Sequence, residues 1–442
     1  MSLLEKLESQ KTHSKSDASD ESGGKIFDPY AVVKLKIHTD IINQINKQGA
    51  KDVDRDSMRQ LIDDAVNNDE NAIPRMERDK IASEMYNDIM GYGPLEELLE
   101  DPEVSEIMVN GPEHVYIERA GKLELSHVTF RDDAHVLNVI DRIVSQIGRH
   151  IDESSPMVDA RLPDGSRVNA VIAPISLIGP VLTIRKFGKK PISAKKLIEF
   201  GSISPKMLAF LEACIKGKLN IIVSGGTGSG KTTLLNVLSS YIPENERIVT
   251  IEDAAELQLK QMHVITLEAR PSNLEGKGAI TIRSLVKNAL RMRPDRIIVG
   301  EVRSEETMDM LQAMNTGHDG SLTTTHANSP RDTLSRIETM VMMSGMELPL
   351  KAIRDQVASA IDLIIQQSRF RDGTRKITSI TEVIGMEGEI VSMQDLFVYE
   401  TEGRLDSGGK FKGEFRATGV RPYCVEKIKQ NGVPVNNDWF SN

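Results

Sequence analysis

Cysteine is almost missing from this chain, and aromatic residues are scarce. The 442 residues include two cysteines, Cys214 and Cys424, one tryptophan and 4% aromatic residues in total. Two cysteines so far apart supply neither a disulfide framework nor the four ligands of a structural zinc site. The sequence therefore argues against a small disulfide-rich secreted domain and predicts two ordinary reduced thiols.

Long apolar segments and excess positive charge are absent as well. No segment stays apolar for the ~20 residues that a membrane span requires, and no apolar signal-peptide core follows Met1–Lys6. The formal net charge of -10 argues against a general nucleic-acid-binding protein. We therefore expect a cytoplasmic protein that binds no nucleic acid and contacts membranes only through partners.

The composition is sufficient for more than one hydrophobic core. Of the 442 residues, 39% are hydrophobic and 27% are charged. A polar stretch predicts a disordered leader, and apolar residues at helical spacing predict a helical bundle after it. Hairpin and helix patterns then predict an α+β domain, followed by a linker, an α/β domain and a polar tail of unassigned role. The predicted boundaries are 1–26, 27–90, 91–187, 188–196, 197–400 and 401–442.

The α/β domain is predicted from helices that alternate with apolar strands after Ile198. Such alternation implies a mostly parallel sheet with helices on both faces, and a ligand site at the carboxyl ends of its strands. The predicted strands are 220–223, 248–251, 264–267, 297–299, 322–325 and 363–365.

A phosphate-binding P-loop lies between the first of these strands and a helix. Its glycines allow positive φ, so that successive backbone N–H groups can converge on phosphate oxygens. Lys231 adds a positive charge, the hydroxyl of Thr232 suits Mg²⁺, and the helix start favours an anion. The predicted nucleotide-binding residues are Gly225, Gly226, Thr227, Gly228, Ser229, Gly230, Lys231, Thr232 and Thr233.

Carboxylates follow two other predicted strands. Glu301 ends an apolar strand, so it is predicted to lie beside the P-loop and to hold Mg²⁺ through water or orient an attacking water, although it could simply adjoin a helix start. Glu252, Asp253 and Glu256 form a second acidic group, which would be strained by repulsion without a cation. Nucleotide-bound Mg²⁺ would satisfy it, whereas the alternative is a solvated helix start.

Two histidines bracket the strand 322–325. His318 lies in the turn before it and His326 directly after it. Their separation does not match metal-ligand spacing on one helix. We predict that they sense the terminal phosphate of a nucleotide, with a purely structural role as the alternative.

These motifs together resemble the secretion ATPases of type II and type IV systems. That family contains a P-loop, an acidic box Glu-Asp-x-x-Glu, a Walker B motif Val-Gly-Glu and a histidine box, and the resemblance spans about 91–397. The detail looks closest to the CpaF type, the assembly motor of Flp or tight-adherence pili, and the scarcity of cysteine excludes the four-cysteine zinc module of the type II branch. The matching stretches are 225–232, 252–256, 299–301 and 317–326, and those typical of CpaF are 93–96, 158–168, 182–187 and 292–295.

The resemblance implies an architecture and a set of roles. It implies a RecA-like ATPase domain after a PAS-like α+β domain, a hexameric ring, and ATP with Mg²⁺ bound between the two domains. Glu256 would activate the hydrolytic water, while Glu301 supports that water and Mg²⁺. Arginines of the first domain, or of a neighbouring subunit, would reach the phosphates. The candidates are Arg161, Arg167 and Arg185, with Arg291 and Arg293 as second choices.

The implied partners are further copies of this chain and an integral-membrane platform protein, which places the motor at the inner face of the membrane. One alternative is a type IV secretion ATPase that moves DNA or effectors. Another is a nucleotide-gated scaffold that binds ATP without using it as fuel. A phosphotransferase is less favoured, because the sequence carries no motif for an acceptor substrate.

Overall fold

The computed structural model describes residues 30–48, 54–67, 73–119, 121–187, 192–270, 272, 277–345, 347–405, 408–409 and 411–441. The predicted leader 1–26 and the linker residues 188–191 lie outside the described residues. The chain divides into two compact units, Met1–Glu100 and Asp101–Asn442.

The first unit is helical. Each of its three longer helices turns apolar residues at helical spacing toward a shared core, which includes Ile41, Ile62 and Ile81. The helices are α1 (Ala31–Gln48), α2 (Arg55–Asn67), α3 (Arg75–Met90) and α4 (Leu95–Glu100).

The second unit begins with a six-stranded antiparallel sheet and one helix. The helix, α5 (Asp133–Ser145), starts where the side chain of Asp132 accepts a hydrogen bond from the backbone N–H of His135, and it buries Val139 and Ile143. The strand order is β3-β2-β1-β6-β5-β4. The strands are β1 (Val104–Asn110), β2 (Val115–Arg119), β3 (Lys122–Leu125), β4 (Met157–Arg161), β5 (Arg167–Val171) and β6 (Val181–Arg185).

A nine-stranded sheet forms the rest of the second unit. Its order is β15-β14-β13-β12-β7-β11-β10-β8-β9, and the six strands from β12 to β9 are parallel. The other three pair antiparallel. This confirms the predicted α/β fold with a mostly parallel sheet. The strands are β7 (Ile221–Gly225), β8 (Ile248–Glu252), β9 (Val264–Glu268), β10 (Arg296–Val299), β11 (Leu322–Thr325), β12 (Leu363–Arg369), β13 (Arg375–Glu387), β14 (Ile390–Leu405) and β15 (Phe411–Ala417).

The central strands of this sheet are buried on both faces, because helices cover both faces of the sheet. One core contains Phe210 and Leu234, and the other contains Val286, Ile337 and Val357. The helices are α6 (Ala194–Glu199), α7 (Pro205–Lys216), α8 (Lys231–Ser239), α9 (Ile282–Ala289), α10 (Glu306–Asn315), α11 (Pro330–Met343) and α12 (Leu350–Ala360). Within the described ranges, no helix is long and apolar enough to cross a membrane.

The C-terminal segment 401–442 is more than the polar tail that its composition suggested. It carries the end of β14, all of β15, helix α13 (Cys424–Gln430) and a 3-10 turn at Asn437–Phe440. Val425 and Ile428 are fully buried in the core that contains Phe210. Their three-residue spacing places both on one helix face, so a few apolar residues suffice to fix a segment that is polar on average.

The two cysteines are free, buried and close together, although 210 positions of sequence numbering separate Cys214 from Cys424. Each thiol influences the pKa of the other. Burial raises the pKa of the Cys214 thiol, which keeps it protonated.

Candidate nucleotide-binding site

The P-loop connects β7 to α8 at the carboxyl edge of the parallel strands. Gly228 and Gly230 have φ values of +69° and +96°, a region that side chains with a β-carbon rarely adopt. A β-carbon on Gly225 would lie 2.2 Å from the carbonyl oxygen of Gln367, which belongs to the neighbouring strand β12. Glycine is therefore required both for the curl of the loop and for the close approach of β12.

Lys231 lies inside this loop with 7% of its surface exposed. Its Nζ donates to the carbonyl oxygen of Gly226 at 3.1 Å and lies 3.4 Å from both ring nitrogens of His326. Burial lowers the pKa of Lys231, opposed by the charge of Glu301, while the positive charge of Arg303 lowers it further. A buried ammonium group in this position is suited to an anionic ligand.

His326 connects Lys231 to the acid after β10. Its Nε2 lies 3.2 Å from Oε1 of Glu301, and Oε2 of Glu301 accepts from Arg303 at 2.9 Å. The other terminal nitrogen of Arg303, Nη1, lies 3.3 Å from Oδ2 of Asp253, which follows β8. Because β8 and β10 pair in parallel, the predicted carboxylates Asp253 and Glu301 meet at one edge of the sheet.

Glu252 has a different position from the rest of the acidic box. Its carboxylate is buried and accepts hydrogen bonds from the backbone N–H groups of Glu256, at 2.9 Å, and Leu257, at 3.1 Å. Burial raises the pKa of Glu252 to about 7, partly offset by those two hydrogen bonds. A β-carbon on Gly300 would lie 2.8 Å from Cγ of Glu252. Glu252 therefore shapes the acidic loop, and its packing explains the glycine before Glu301.

Two arginines of the first sheet contact the acidic loop and the neighbouring strand β9. Nη2 of Arg167, on β5, lies 3.1 Å from Oε1 of Glu256 and donates to the carbonyl oxygen of Ala254 at 2.7 Å. Nη1 of Arg161, on β4, lies 2.9 Å from Oε2 of Glu268. Nε of Arg167 and Nη2 of Arg161 are buried without a hydrogen-bond partner in the described part of the chain. The interface between the two sheets thus presents unused donors beside the acidic box.

Among the described residues, Arg185 pairs with a residue of its own sheet and not with the acidic loop. Its side chain is 60% exposed and its Nε lies 3.6 Å from Glu106. Its positive charge still contributes to lowering the pKa of Lys231.

The structure does not bring His318 to this site. His318 precedes β11, whereas His326 follows it, and β11 runs parallel to β7. His318 therefore lies at the sheet edge opposite the P-loop of the same chain. There its carbonyl oxygen accepts from the hydroxyl of Ser321 at 2.7 Å. Within one chain a strand therefore separates the two histidines, and the prediction that both sense the terminal phosphate stays a prediction.

Comparison with known proteins identifies the chain at the family level. A family model described as "Type II/IV secretion system protein" matches residues 88–403. The chain belongs to this family. A putative conjugal transfer protein of Mycobacterium tuberculosis is 35% identical over 312 residues, covering 69% of this chain and 88% of that protein. The type IV secretion system protein VirB11 of Brucella abortus is 31% identical over 313 residues, covering 64% and 85%.

Among solved structures, the VirB11 ATPase from the Brucella suis type IV secretion system, crystallised in complex with sulphate, is similar to this chain. It is 29% identical with a TM-score of 0.36, covering 65% of this chain and 94% of that one. This family is the one that the sequence motifs resembled, so the predicted resemblance to secretion ATPases of type II and type IV systems is confirmed. The CpaF type stays a prediction.

The loop of this secretion system protein fits a nucleotide. The hydroxyl of Ser229 is buried and has no hydrogen-bond partner among the described residues, and the buried Lys231 is aimed into the same loop. Thr227, Thr232 and Thr233 complete the loop and the first turn of α8. The part of the chain that the structure describes contains no group of three or more His, Cys, Asp or Glu suited to a metal ion. Thr232 and Glu301 remain the candidates for Mg²⁺, which is commonly held by few protein groups together with phosphates.

Three arginines of the site escaped prediction. Arg303 lies two positions after the Walker B acid, and this closeness in sequence was the signal that could have indicated it. Arg369 and Arg375 approach the P-loop from the end of β12 and the start of β13. Their position depends on β12 lying beside β7, which the sequence pattern does not specify.

Proposed function

We propose that this chain is an ATPase that binds ATP and Mg²⁺ and hydrolyses ATP to ADP and phosphate. The observation that carries the proposal is the convergence of Lys231, His326 and Glu301 at the carboxyl edge of the parallel strands. An ammonium group, an imidazole and an acid held in this order beside a glycine loop suit the recognition and hydrolysis of a phosphate chain.

The roles follow from position. The loop amides and Lys231 hold the phosphates, and Thr232 and Glu301 hold Mg²⁺, partly through water. Bound Mg²⁺ would neutralise charge on the phosphates. Glu256 accepts the proton of the attacking water through its carboxylate, whose ion pair with Arg167 fixes its direction. Arg161, Arg167 and Arg185 lie on the first sheet, so movement of that sheet changes their distance from the acidic loop and couples hydrolysis to motion.

We infer that the cellular task is assembly of a Flp or tight-adherence pilus by a hexamer acting on an inner-membrane platform protein, in the cytoplasm at the inner face of the membrane. The CpaF-like stretches support this. Type IV secretion is supported comparably, because the relatives include a conjugal transfer protein and VirB11. Co-purification decides between them: recovery of a pilus platform supports assembly, and recovery of a DNA-coupling protein supports secretion.

Steady-state phosphate release tests the ATPase proposal against a scaffold that only binds nucleotide. The wild type, incubated with Mg²⁺ and ATP in the presence of its platform, should release phosphate. Glu256→Gln and Glu301→Gln should slow release to a small residual rate and retain ATP binding, whereas Lys231→Ala should lose binding. Lys216→Ala is the matched control, because Lys216 is an exposed residue paired with Glu212 on α7. ATP binding without any phosphate release by the wild type would favour the scaffold.

A further inference from the structure

The β12–β13 hairpin borders the P-loop on the side away from the acids. In the sheet, β12 lies on one side of β7, while β11 and then β10 lie on the other. Gln367, near the end of β12, pairs with Gly225, where the loop begins. The residues that follow Gln367 therefore flank the P-loop opposite His326 and Glu301.

Two arginines of this hairpin face the loop. Nε of Arg375 donates to the carbonyl oxygen of Gly228 at 2.9 Å. A β-carbon on Gly228 would lie 3.4 Å from Nη1 of Arg369. The other terminal nitrogen of Arg369 donates to the carbonyl oxygen of Gly121 in the first sheet, at 3.2 Å. Arg369 thus lies between the P-loop and the turn from β2 to β3.

The two guanidinium groups are not neutralised. Within the described ranges, neither forms an ion pair with a carboxylate. Burial lowers the pKa of Arg375, and the positive charge of Arg369 lowers it further, with Glu118 as the opposing charge. Two like charges held side by side repel each other, so an anion between them and the loop would be stabilised.

We propose that Arg369 and Arg375 bind the phosphates that ADP and ATP share, on the nucleoside side of the P-loop. This inference rests on the proposed nucleotide site. Glu301 and His326, on the other side of β7, act on the phosphate that only ATP carries. The two sides therefore make different contributions to affinity: the arginines strengthen binding of both nucleotides, whereas His326 distinguishes ATP from ADP.

Calorimetric titration of the full chain with ADP and with a non-hydrolysable ATP analogue tests this. Arg369→Gln and Arg375→Gln should each lower the affinity for ADP and for the ATP analogue by the same factor, about tenfold. This factor corresponds to about 1.4 kcal/mol of binding free energy. Arg371→Gln is the matched control, because Arg371 is an exposed arginine of the same hairpin, and it should bind as the wild type does. His326→Ala should weaken the ATP analogue more than ADP.

The outcomes separate this inference from the proposed function. Arg375→Gln also removes the hydrogen bond to Gly228, so Arg369→Gln, which loses no bond to the loop, is the decisive variant. If Arg369→Gln binds both nucleotides as tightly as Arg371→Gln, the inference is overturned while nucleotide binding by the wild type stands. If the wild type and Lys231→Ala both fail to bind, the proposed function and the inference fall together.

Discussion

Nε2 of His326 lies 3.2 Å from Oε1 of Glu301 and joins the end of β11 to the end of β10. Burial lowers the pKa of His326, and the positive charge of Lys231 lowers it further, so the ring is neutral at pH 7. A neutral imidazole has one donor and one acceptor. The partners assign Nε2 as the donor to Glu301 and Nδ1 as the acceptor facing Lys231.

His326→Ala is expected to lower phosphate release by roughly tenfold or more, because Glu301 loses a donor that orients it. ADP affinity should change little, since Lys231 and the loop glycines remain. Phosphate release and ADP titration on the same preparation measure the two effects separately.

His318→Ala provides the comparison within the same motif. Since His318 lies at the opposite sheet edge, this variant should release phosphate at the wild-type rate. Equal losses from His318→Ala and His326→Ala would show that the histidines act together, as the sequence suggested, and would contradict the separation argued from the strand direction.

The sequence was informative wherever a functional residue directly follows an apolar strand. The P-loop follows β7, Glu301 follows β10 and His326 follows β11, and parallel pairing brings all three ends to one edge. His318 precedes its strand, so it lies at the other edge of the sheet. Helical and strand patterns indicate how often the chain crosses the sheet, but they do not specify on which edge a flanking residue lies.

The remaining misses depend on contacts between segments distant in sequence. Arg369 and Arg375 approach the P-loop because β12 pairs with β7. The two cysteines are likewise neighbours although they lie far apart in sequence. Periodicity cannot predict such contacts, since each depends on strand order and packing.

Arg167→Gln is expected to reduce phosphate release with little change in ADP affinity. The substitution removes the ion pair at 3.1 Å and the hydrogen bond to Ala254, so Glu256 loses its fixed direction. Glu256→Gln acts on the same contact. The double variant should therefore be no slower than Glu256→Gln alone, because residues that act as a unit are not additive.

The control for this cycle is Arg131→Gln. Arg131 is an exposed arginine of the same unit, paired with Asp132 at 3.3 Å and distant from the acidic box in sequence. It should leave phosphate release unchanged. Strictly additive losses for Arg167→Gln and Glu256→Gln would indicate that the ion pair has no part in turnover.

Glu252 should make stability depend on pH. Its pKa is about 7 in the folded protein against 4.5 ordinarily, so folding favours the protonated acid. Its contribution is fully present below about pH 4.5 and is lost as pH rises through about 7, with a total of about 3 kcal/mol. Relative to Glu252→Gln, which does not titrate, the wild type should melt at a lower temperature at pH 8 than at pH 5.

The measurement is thermal unfolding of both proteins across that range, with the difference in melting temperature plotted against pH. The difference, rather than the wild-type value, isolates Glu252 from the other titrating groups. A difference that stays constant from pH 5 to pH 8 would mean that the buried carboxylate is ionised throughout and fully satisfied by its two backbone donors.

Ile428→Ala should destabilise the second unit by about 2–5 kcal/mol, because it leaves a cavity in a closely packed core. Ile428 is fully buried on α13, whereas Ile390, at the start of β14, is 66% exposed. Ile390→Ala removes the same atoms from a solvated position and should cost less than about 0.5 kcal/mol. Chemical denaturation of both variants measures the contrast. Equal, small losses would mean that α13 contributes little to the core, and the C-terminal segment would then be the polar tail that its composition suggests.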